Sequence, residues 1–457
     1  MNATKIRSLW YYLCLIPLIT ACATSNDPLF SPTGKAAFVP DESIPFTDYV
    51  QESRKNIEQI LNEVRPENGD RKYLGGYTNA QAAAMRSPFQ MPASEQDRCS
   101  DMSKGAGKGF LLIHGLIDSP YLLTNIRDSL SKQYPCALIR AVLLPGDGTV
   151  VGDSLEMDHK DWQRIVEYGV KGFQEDDRIS DLYLVGFSAG TSLVIEYMND
   201  YMKENPSTDA VERADKIQGL ILLSPSVKAK SSFAFLASFL NLFKDWESLF
   251  EEEDAVRYES FSYNAGAEFY TLTRGMVDPA YALKVPVLIV ASADDTTVDA
   301  EAARRFFCFS DEVDRRALIW YQSIDPEVNA RIAQTANLQC DNIIEVPLKN
   351  IKEEFKTVNL SHLAVPMSPD DPHYGLHGKY RHCRKYASNP IDLAACRDDG
   401  EDNLFGENNV EGLSADLKPQ YRTLRRGTFN PFYKQLEAIM FCFTDDACST
   451  DDLLQRK

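Results

Sequence analysis

The residues that could do chemistry are concentrated first in Asp181-Leu182-Tyr183-Leu184-Val185-Gly186-Phe187-Ser188-Ala189-Gly190. Ser188 stands between an apolar run and a helix-like pattern at Leu193, Val194, Ile195 and Met198. A tight strand-to-helix turn of this kind lifts a serine hydroxyl clear at the carboxyl edge of a sheet, near the positive end of the helix that follows. Gly186 and Gly190 leave the room that a strained serine and a close helix need. Gly-x-Ser-x-Gly alone is also an ordinary turn, so the partners decide. A serine hydroxyl is a weak nucleophile; it needs a base, and the base needs an orienting acid. On a parallel sheet with such an elbow these follow in the order Ser, Asp or Glu, His. Four histidines follow Ser188: His362, His373, His377 and His382. His362 lies one short loop beyond the apolar run at Ile343–Pro347 and is the candidate base, with His373 next. Asp294, Asp295 and Asp299 follow the run at Val285–Ala291. Asp295 is favoured, because Asp-x-x-Val sends Val298 into the core and leaves the acid facing the histidine. His114 precedes the serine and is not the base. The loop after His114-Gly115 instead offers the backbone N–H of Leu116, which with that of Ala189 would hold a developing oxyanion.

These groups need a scaffold of alternating elements. Gly109–Ile113, Ala137–Leu144, Asp181–Phe187, Ile217–Leu223, Val285–Ala291 and Ile343–Pro347 are short apolar runs suited to buried strands. Helical patterns separate them, one opening at Asp118-Ser119-Pro120 and another at Asp161-Trp162. The alternation predicts an α/β fold with a doubly wound, mostly parallel sheet. About residues 226–283 the chain carries a segment that the sheet does not require. It begins with the greasy stretch Ser232–Phe243 and is expected to form a helical cap over the elbow. Residues from about 374 to 428 are polar and irregular in pattern, and read as a C-terminal insertion before a last helix, Pro431–Phe441.

The amino terminus has a different character. Lys5 and Arg7 precede an 11-residue apolar stretch, Leu9–Ile19, short of the roughly 20 residues of a membrane-spanning helix. The stretch ends in Ile19-Thr20-Ala21-Cys22, which resembles a bacterial lipoprotein signal. Residues 1–21 would be removed and Cys22 acylated. Residues 22–45 would form a flexible tether and 46–457 the folded domain. The expected location is the bacterial cell envelope, at the outer membrane where the host has one. The formal net charge of −19 argues against nucleic-acid partners. Ten cysteines are present, and eight remain after Cys14 and Cys22. An even number behind an export signal points to disulfides. Pairing of sequence neighbours would staple the insertions, but spacing alone leaves the connectivity open. His373, His377, His382 and Cys383 lie close together, yet their spacing matches no ligand pattern, and no metal is expected.

Taken together, Phe110–Pro120, Pro145-Gly146-Asp147-Gly148, Asp161-Trp162, Gly186–Gly190, Asp295-x-x-Val298 and Ser361-His362 resemble the α/β-hydrolase superfamily, and within it the carboxylesterase and monoacylglycerol-lipase branch. The resemblance implies hydrolysis of acyl esters, including lipid-like ones, through an acyl-serine and without metal or organic cofactor. It implies Ser188 as nucleophile, His362 as base and Asp295 as orienting acid. Two positions depart from the branch: Asp147 stands where Pro-Gly-His-Gly has histidine, and Thr191 where a second glycine is common.

Overall fold

The computed structural model describes residues 27–36, 39–66, 69–92, 99, 105–204, 216–230, 236–310, 313, 315–335, 340–398, 403–407, 423–445 and 448–455. The signal expected over residues 1–21 and the acylation site Cys22 lie outside them.

The strands are β1 (Phe89–Met91), β2 (Lys108–Ile113), β3 (Leu138–Val142), β4 (Asp181–Phe187), β5 (Ile217–Leu223), β6 (Trp246–Ser248), β7 (Phe261–Ser262), β8 (Val287–Ser292), β9 (Arg316–Tyr321), β10 (Ile343–Val346), β11 (Asn403–Gly406) and β12 (Thr423–Arg426). Eight of them form one sheet in the order β1-β3-β2-β4-β5-β8-β9-β10. All its pairings are parallel except that of β1 with β3. This is a mostly parallel, doubly wound sheet, as the alternation of elements predicts. β9 lies inside it, between β8 and β10, with α9 (Pro326–Thr335) following it, and β1 lies at its edge; both strands are additional to those expected from the sequence.

The central strands are apolar throughout because both faces are covered. Leu111, Ile113, Leu184, Leu222 and Ile289 belong to the core on one face. Phe110, Leu112, Val185, Ile221 and Val290 belong to the core on the other. The first face is packed by Trp162 and Ile165 of α4 (His159–Gln174), Leu193 and Val194 of α5 (Ala189–Glu204), and Phe306 and Phe307 of α8 (Ala300–Phe309). α1 (Phe46–Val64) joins them, and α2 (Asn79–Arg86) packs on α1. The second face is packed by Ile126 and Leu130 of α3 (Thr124–Gln133) and by Leu436 and Ile439 of α11 (Tyr433–Phe443). The chain steps from β2 outward to β3, then returns across β2 to β4. The strand order therefore reverses between β2 and β4, which leaves a crevice at their carboxyl ends.

Three expected segments take a different form. The tether is docked from Asp27 onward: Leu29 is buried with Ile60 and Val150, and Thr33 donates through its N–H and hydroxyl to Asp153 Oδ1 at 2.7 and 2.9 Å. A flexible leash would leave those groups in water. The greasy start of the cap supplies only a one-turn helix among its described residues, α6 (Ala237–Leu240). It leaves Phe239, Leu242 and Phe243 exposed. Contact with the loop after β2 comes instead from residues 246–262, where the Tyr258 N–H donates to Ile117 O at 2.9 Å and the Tyr258 ring packs on Ile117 and Val151. α7 (Tyr263–Thr273) closes this insertion. The C-terminal insertion is partly regular: α10 (Pro390–Arg397) and the parallel pair β11–β12 form within it, because Leu404, Phe405 and Leu424 bury their side chains there. Disulfides join Cys99–Cys136, Cys308–Cys340, Cys383–Cys396 and Cys442–Cys448, each pair being neighbours in sequence. Among the described residues no helix is long and apolar enough to cross a membrane.

Candidate active site

The elbow is built where β4 must turn sharply into α5. Ser188 has φ 51°, a left-handed backbone that side chains other than glycine rarely adopt. Its N–H donates to Leu223 O at 3.0 Å, which ties the turn to β5. A Cβ on Gly190 would lie 2.1 Å from Ile113 O, and one on Gly186 2.7 Å from the Gly190 backbone. The glycines are thus demanded by backbone contact, Gly190 with the end of β2 and Gly186 with the first turn of α5. Thr191 makes use of its extra atoms: its hydroxyl donates to Ser188 O at 2.6 Å and accepts from Ser226 N–H at 3.0 Å.

Ser188, His362 and Asp295 form one hydrogen-bonded line. His362 Nε2 is 2.8 Å from Ser188 Oγ, and Nδ1 is 2.6 Å from Asp295 Oδ2. With the carboxylate on Nδ1, that nitrogen carries the proton and Nε2 is left as the acceptor. Asp295 Oδ1 accepts from the N–H groups of Thr297 and Val298 at 2.8 and 3.0 Å, and Val298 is buried. Burial pushes the Asp295 carboxyl up, but the His362 charge, its hydrogen bond and the two amides outweigh that and hold it below the usual carboxylate range. Asp294 points elsewhere, toward Ser323 Oγ and the Ile324 N–H. Asp299 caps α8 through the Ala302 N–H.

His362 is reached by a long excursion from β10, and its loop is held from two sides. From the sheet, the Ser292 hydroxyl donates to Leu360 O at 2.7 Å and the Ser224 hydroxyl to His362 O at 3.1 Å. From the C-terminal insertion, Phe405 O accepts from Val358 N–H at 2.8 Å, and Asn359 Oδ1 accepts from Glu407 N–H at 2.6 Å. The Ser361 hydroxyl donates to Gly427 O. Asn359 and Gly427 carry no periodicity or motif in the sequence that marks this duty.

The loop after β2 faces the elbow directly. A Cβ on Gly115 would lie 2.9 Å from Ser188 Cβ. Leu116 follows it, and Ala189 opens α5, where the first amides have no acceptor within their own helix. His114 is structural: its Nε2 accepts from Leu144 N–H at 3.0 Å and its Nδ1 donates to Gly115 O at 2.7 Å. Burial pushes it down to about 4. Asp147, at the position that departs from the resembling branch, is fully buried. Burial and then the nearby Asp118 charge raise its carboxyl well above the ordinary range.

His373 and His159 have other partners. His373 Nε2 is 2.9 Å from Asp254 Oδ1, and its Nδ1 is 3.1 Å from Tyr77 OH. Cys383 is in a disulfide. Asp158, His159 and Glu268 place ligand-type atoms within 4.8 Å of one another. They are already engaged, His159 with Glu268 through both its N–H and its ring, and Asp158 as the cap of α4. A cleft of about 570 Å³ lined by Ile44, Arg140, Tyr168 and Lys171 includes none of the three aligned residues.

No protein-family model and no curated protein matches the chain. Among solved structures, it is similar to a metagenome-derived lipolytic enzyme of the LipS and LipT pair at 17% identity, covering 51% of this chain and 93% of that one, with TM-score 0.39. A monoacylglycerol lipase from Paleococcus ferrophilus is similar at 21% identity, covering 50% and 95%, with TM-score 0.36. A soluble variant of monoglyceride lipase from Saccharomyces cerevisiae, in complex with a substrate analogue, is similar at 16% identity, covering 55% and 89%, with TM-score 0.38. At these values the likeness carries no argument by itself, and the chemistry of the site follows from its own geometry.

Proposed function

We propose that the chain is a serine hydrolase that cleaves carboxylic esters through an acyl-serine intermediate. The observation that carries this reading is the line Asp295–His362–Ser188 at 2.6 and 2.8 Å, with the serine on a left-handed elbow. His362 Nε2 takes the Ser188 proton as Oγ bonds to the ester carbon, and the carbonyl oxygen becomes an oxyanion. The amides of Leu116 and Ala189 are the donors assigned to it. As the bond to the alcohol oxygen breaks, His362 passes its proton to the leaving alcohol. Water then attacks the acyl carbon, giving its proton to His362. Release of the carboxylic acid returns that proton to Ser188. Asp295 holds Nδ1–H throughout and stabilises the imidazolium. No metal or organic cofactor takes part in this scheme.

The test is labelling by a fluorophosphonate probe together with hydrolysis of p-nitrophenyl acyl esters. Wild type should be labelled at Ser188 and turn esters over, and Ser188→Ala should do neither. An unlabelled, folded wild type overturns the reading.

We also propose that the chain is exported and tethered by lipid on Cys22, as the sequence of residues 1–22 favours. A palmitate analogue fed to expressing cells should label wild type and not Cys22→Ala. Equal labelling of both would refute the tether.

A further inference from the structure

The cap insertion turns toward water the side chains that water accommodates least. Phe239, Leu242, Phe243 and Leu249 are each at least half exposed. Among the described residues they are four of the eight large hydrophobic side chains left exposed, gathered into eleven consecutive positions. Such a concentration marks an interaction surface, where scattered single residues would not. The patch is also held in shape. The Phe239 and Phe243 rings pack with centroids 5.2 Å apart. Asn241 Nδ2 donates to Asn264 Oδ1 at 3.2 Å, the Tyr263 N–H to Asp245 O at 2.9 Å and the Phe250 N–H to Ser260 Oγ at 2.8 Å. α7 and the paired β6 and β7 therefore present these side chains from a fixed support.

The docked amino-terminal segment ends at the same place. The Phe30 ring stands edge-on to Trp246, centroid to centroid 5.6 Å, and Trp246 is three positions from both Phe243 and Leu249. Phe30, Trp246 and Leu116 all pack on the small cluster of Ile117, Val151 and Tyr258. Asp27 is fixed one turn before Phe30: its carbonyl accepts from the Phe30 N–H at 2.9 Å, and its carboxylate pairs with Arg71 at 2.6 Å. Five peptide links join Asp27 to Cys22, a reach of at most about 18 Å. A free tether over residues 22–45 would reach about 80 Å. Docking of Asp27–Thr33 thus ties Cys22 closely to the side of the molecule that bears Phe30 and Trp246.

We propose that the patch Phe239, Leu242, Phe243 and Leu249, with Trp246 at its edge, docks the protein on a zwitterionic lipid surface, the one to which Cys22 is attached. The orientation rests on the lipid-tether reading above; the docking itself does not require it. Aromatic and aliphatic side chains of this kind settle at the level of the lipid headgroups and just beneath them. Charge selects the lipid. Lys244 is the one cation between Phe239 and Glu251, against Asp245, Glu247 and Glu251, and the whole chain carries −19. An anionic bilayer would repel such a surface, so the attraction is apolar. A lipid on Cys22 alone leaves the molecule free to swivel; immersion of the patch fixes which side faces the bilayer.

Trp246 is a built-in reporter. The chain has four tryptophans; Trp162 and Trp320 are fully buried, and Trp10→Phe removes the one outside the described residues. In that background, phosphatidylcholine vesicles with brominated acyl chains should quench the fluorescence, and Trp246→Phe should abolish the quenched part. With Cys22→Ala added to isolate the patch, Phe239→Ser/Phe243→Ser should lower the vesicle partition coefficient by about tenfold or more. Leu242→Glu should do the same by carrying a charge into the interface. All three side chains are exposed, so the variants should keep the wild-type melting transition. Adding phosphatidylglycerol to the vesicles should weaken binding. An unquenched Trp246 on phosphatidylcholine, or binding that rises with phosphatidylglycerol, overturns the proposal.

Two arms separate the patch from the tether. Phe239→Ser/Phe243→Ser with Cys22 intact should stay on vesicles through its lipid but lose the quenching of Trp246. Cys22→Ala should bind more weakly, with Trp246 still quenched in the bound fraction. Quenching in a protein that takes up no palmitate analogue would remove the tether and leave the docking surface standing. Palmitate on Cys22 with Trp246 unquenched would do the reverse. Sedimentation equilibrium without lipid tests the rival occupant, a second copy of the chain. A dimer that Phe239→Ser/Phe243→Ser dissociates, in a protein that leaves vesicles unbound, would assign the patch to self-association and overturn the proposal.

Discussion

Asp295 and Asp294 are adjacent in sequence, but only Asp295 faces His362, because the Thr297 and Val298 amides turn its carboxylate one way while Ser323 and Ile324 hold Asp294 the other. Asp295→Asn should therefore lower kcat/KM for an activated ester on the order of 10³–10⁴-fold, by presenting the wrong tautomer of His362 to Ser188. Asp294→Asn should change it little, and parallel steady-state kinetics of the two variants check this. His114 offers a test of sign in stability. Its pKa falls from the ordinary 6.5 to about 4 on burial. Between those values the unfolded chain binds a proton that the folded chain does not, so stability declines as pH falls through this window and levels off below it. The contribution is about 3 kcal/mol. Glu259, raised by burial to about 7, works in the opposite sense, since its folded form keeps a proton that the unfolded chain loses as pH rises. Denaturant titrations of wild type and His114→Gln from pH 7 to 4 isolate the imidazole as the difference between the two slopes.

At the scale of elements, the elbow and the histidine loop are positioned by different means. The elbow depends on backbone touching backbone: β4 meets the start of α5 at Gly186, and α5 meets the end of β2 at Gly190. Gly190→Ala has no side-chain end that can move aside, and it should destabilise the fold by several kcal/mol, measurable as a lost or strongly lowered melting transition. The histidine loop depends on the C-terminal insertion, through Asn359, Ser361 and Val358. Asn359→Ala leaves the Glu407 amide without its acceptor and should weaken stability by about 1–3 kcal/mol. It should lower kcat more than it raises KM, because the base and not the substrate pocket is loosened. Kinetics on a neutral activated ester would show the split. The expectation that residues 374–428 are irregular missed this role, since α10 and β11–β12 gain their order from partners distant in sequence.

At the scale of the whole molecule, four disulfides tie neighbours in sequence at the margins of one sheet. Cys99–Cys136 and Cys308–Cys340 close the longest spans, 37 and 32 residues. Each should contribute about 2–4 kcal/mol, chiefly by restricting the unfolded chain. Reduction should lower the melting temperature while leaving the sheet's circular-dichroism signature in place at 25 °C. Cys383→Ser/Cys396→Ser should in addition lower activity, because that bridge lies in the insertion that holds the histidine loop. The sequence by itself determined the parallel sheet, whose short apolar runs alternate with amphipathic helices, and the elbow, where glycine spacing reports a local backbone demand. The candidate acid and base were legible too, because Asp-x-x-Val and the loop after Ile343–Pro347 lie close to the strands that carry them. Tertiary structure alone decided the rest: the inner strand β9, the docking of Asp27–Thr33, and the grip of Asn359 and Gly427 on the histidine loop. The physical reason is range. Periodicity and turn chemistry act over a few residues, whereas these contacts join groups some 25 to 120 positions apart, and such contacts leave no local signal.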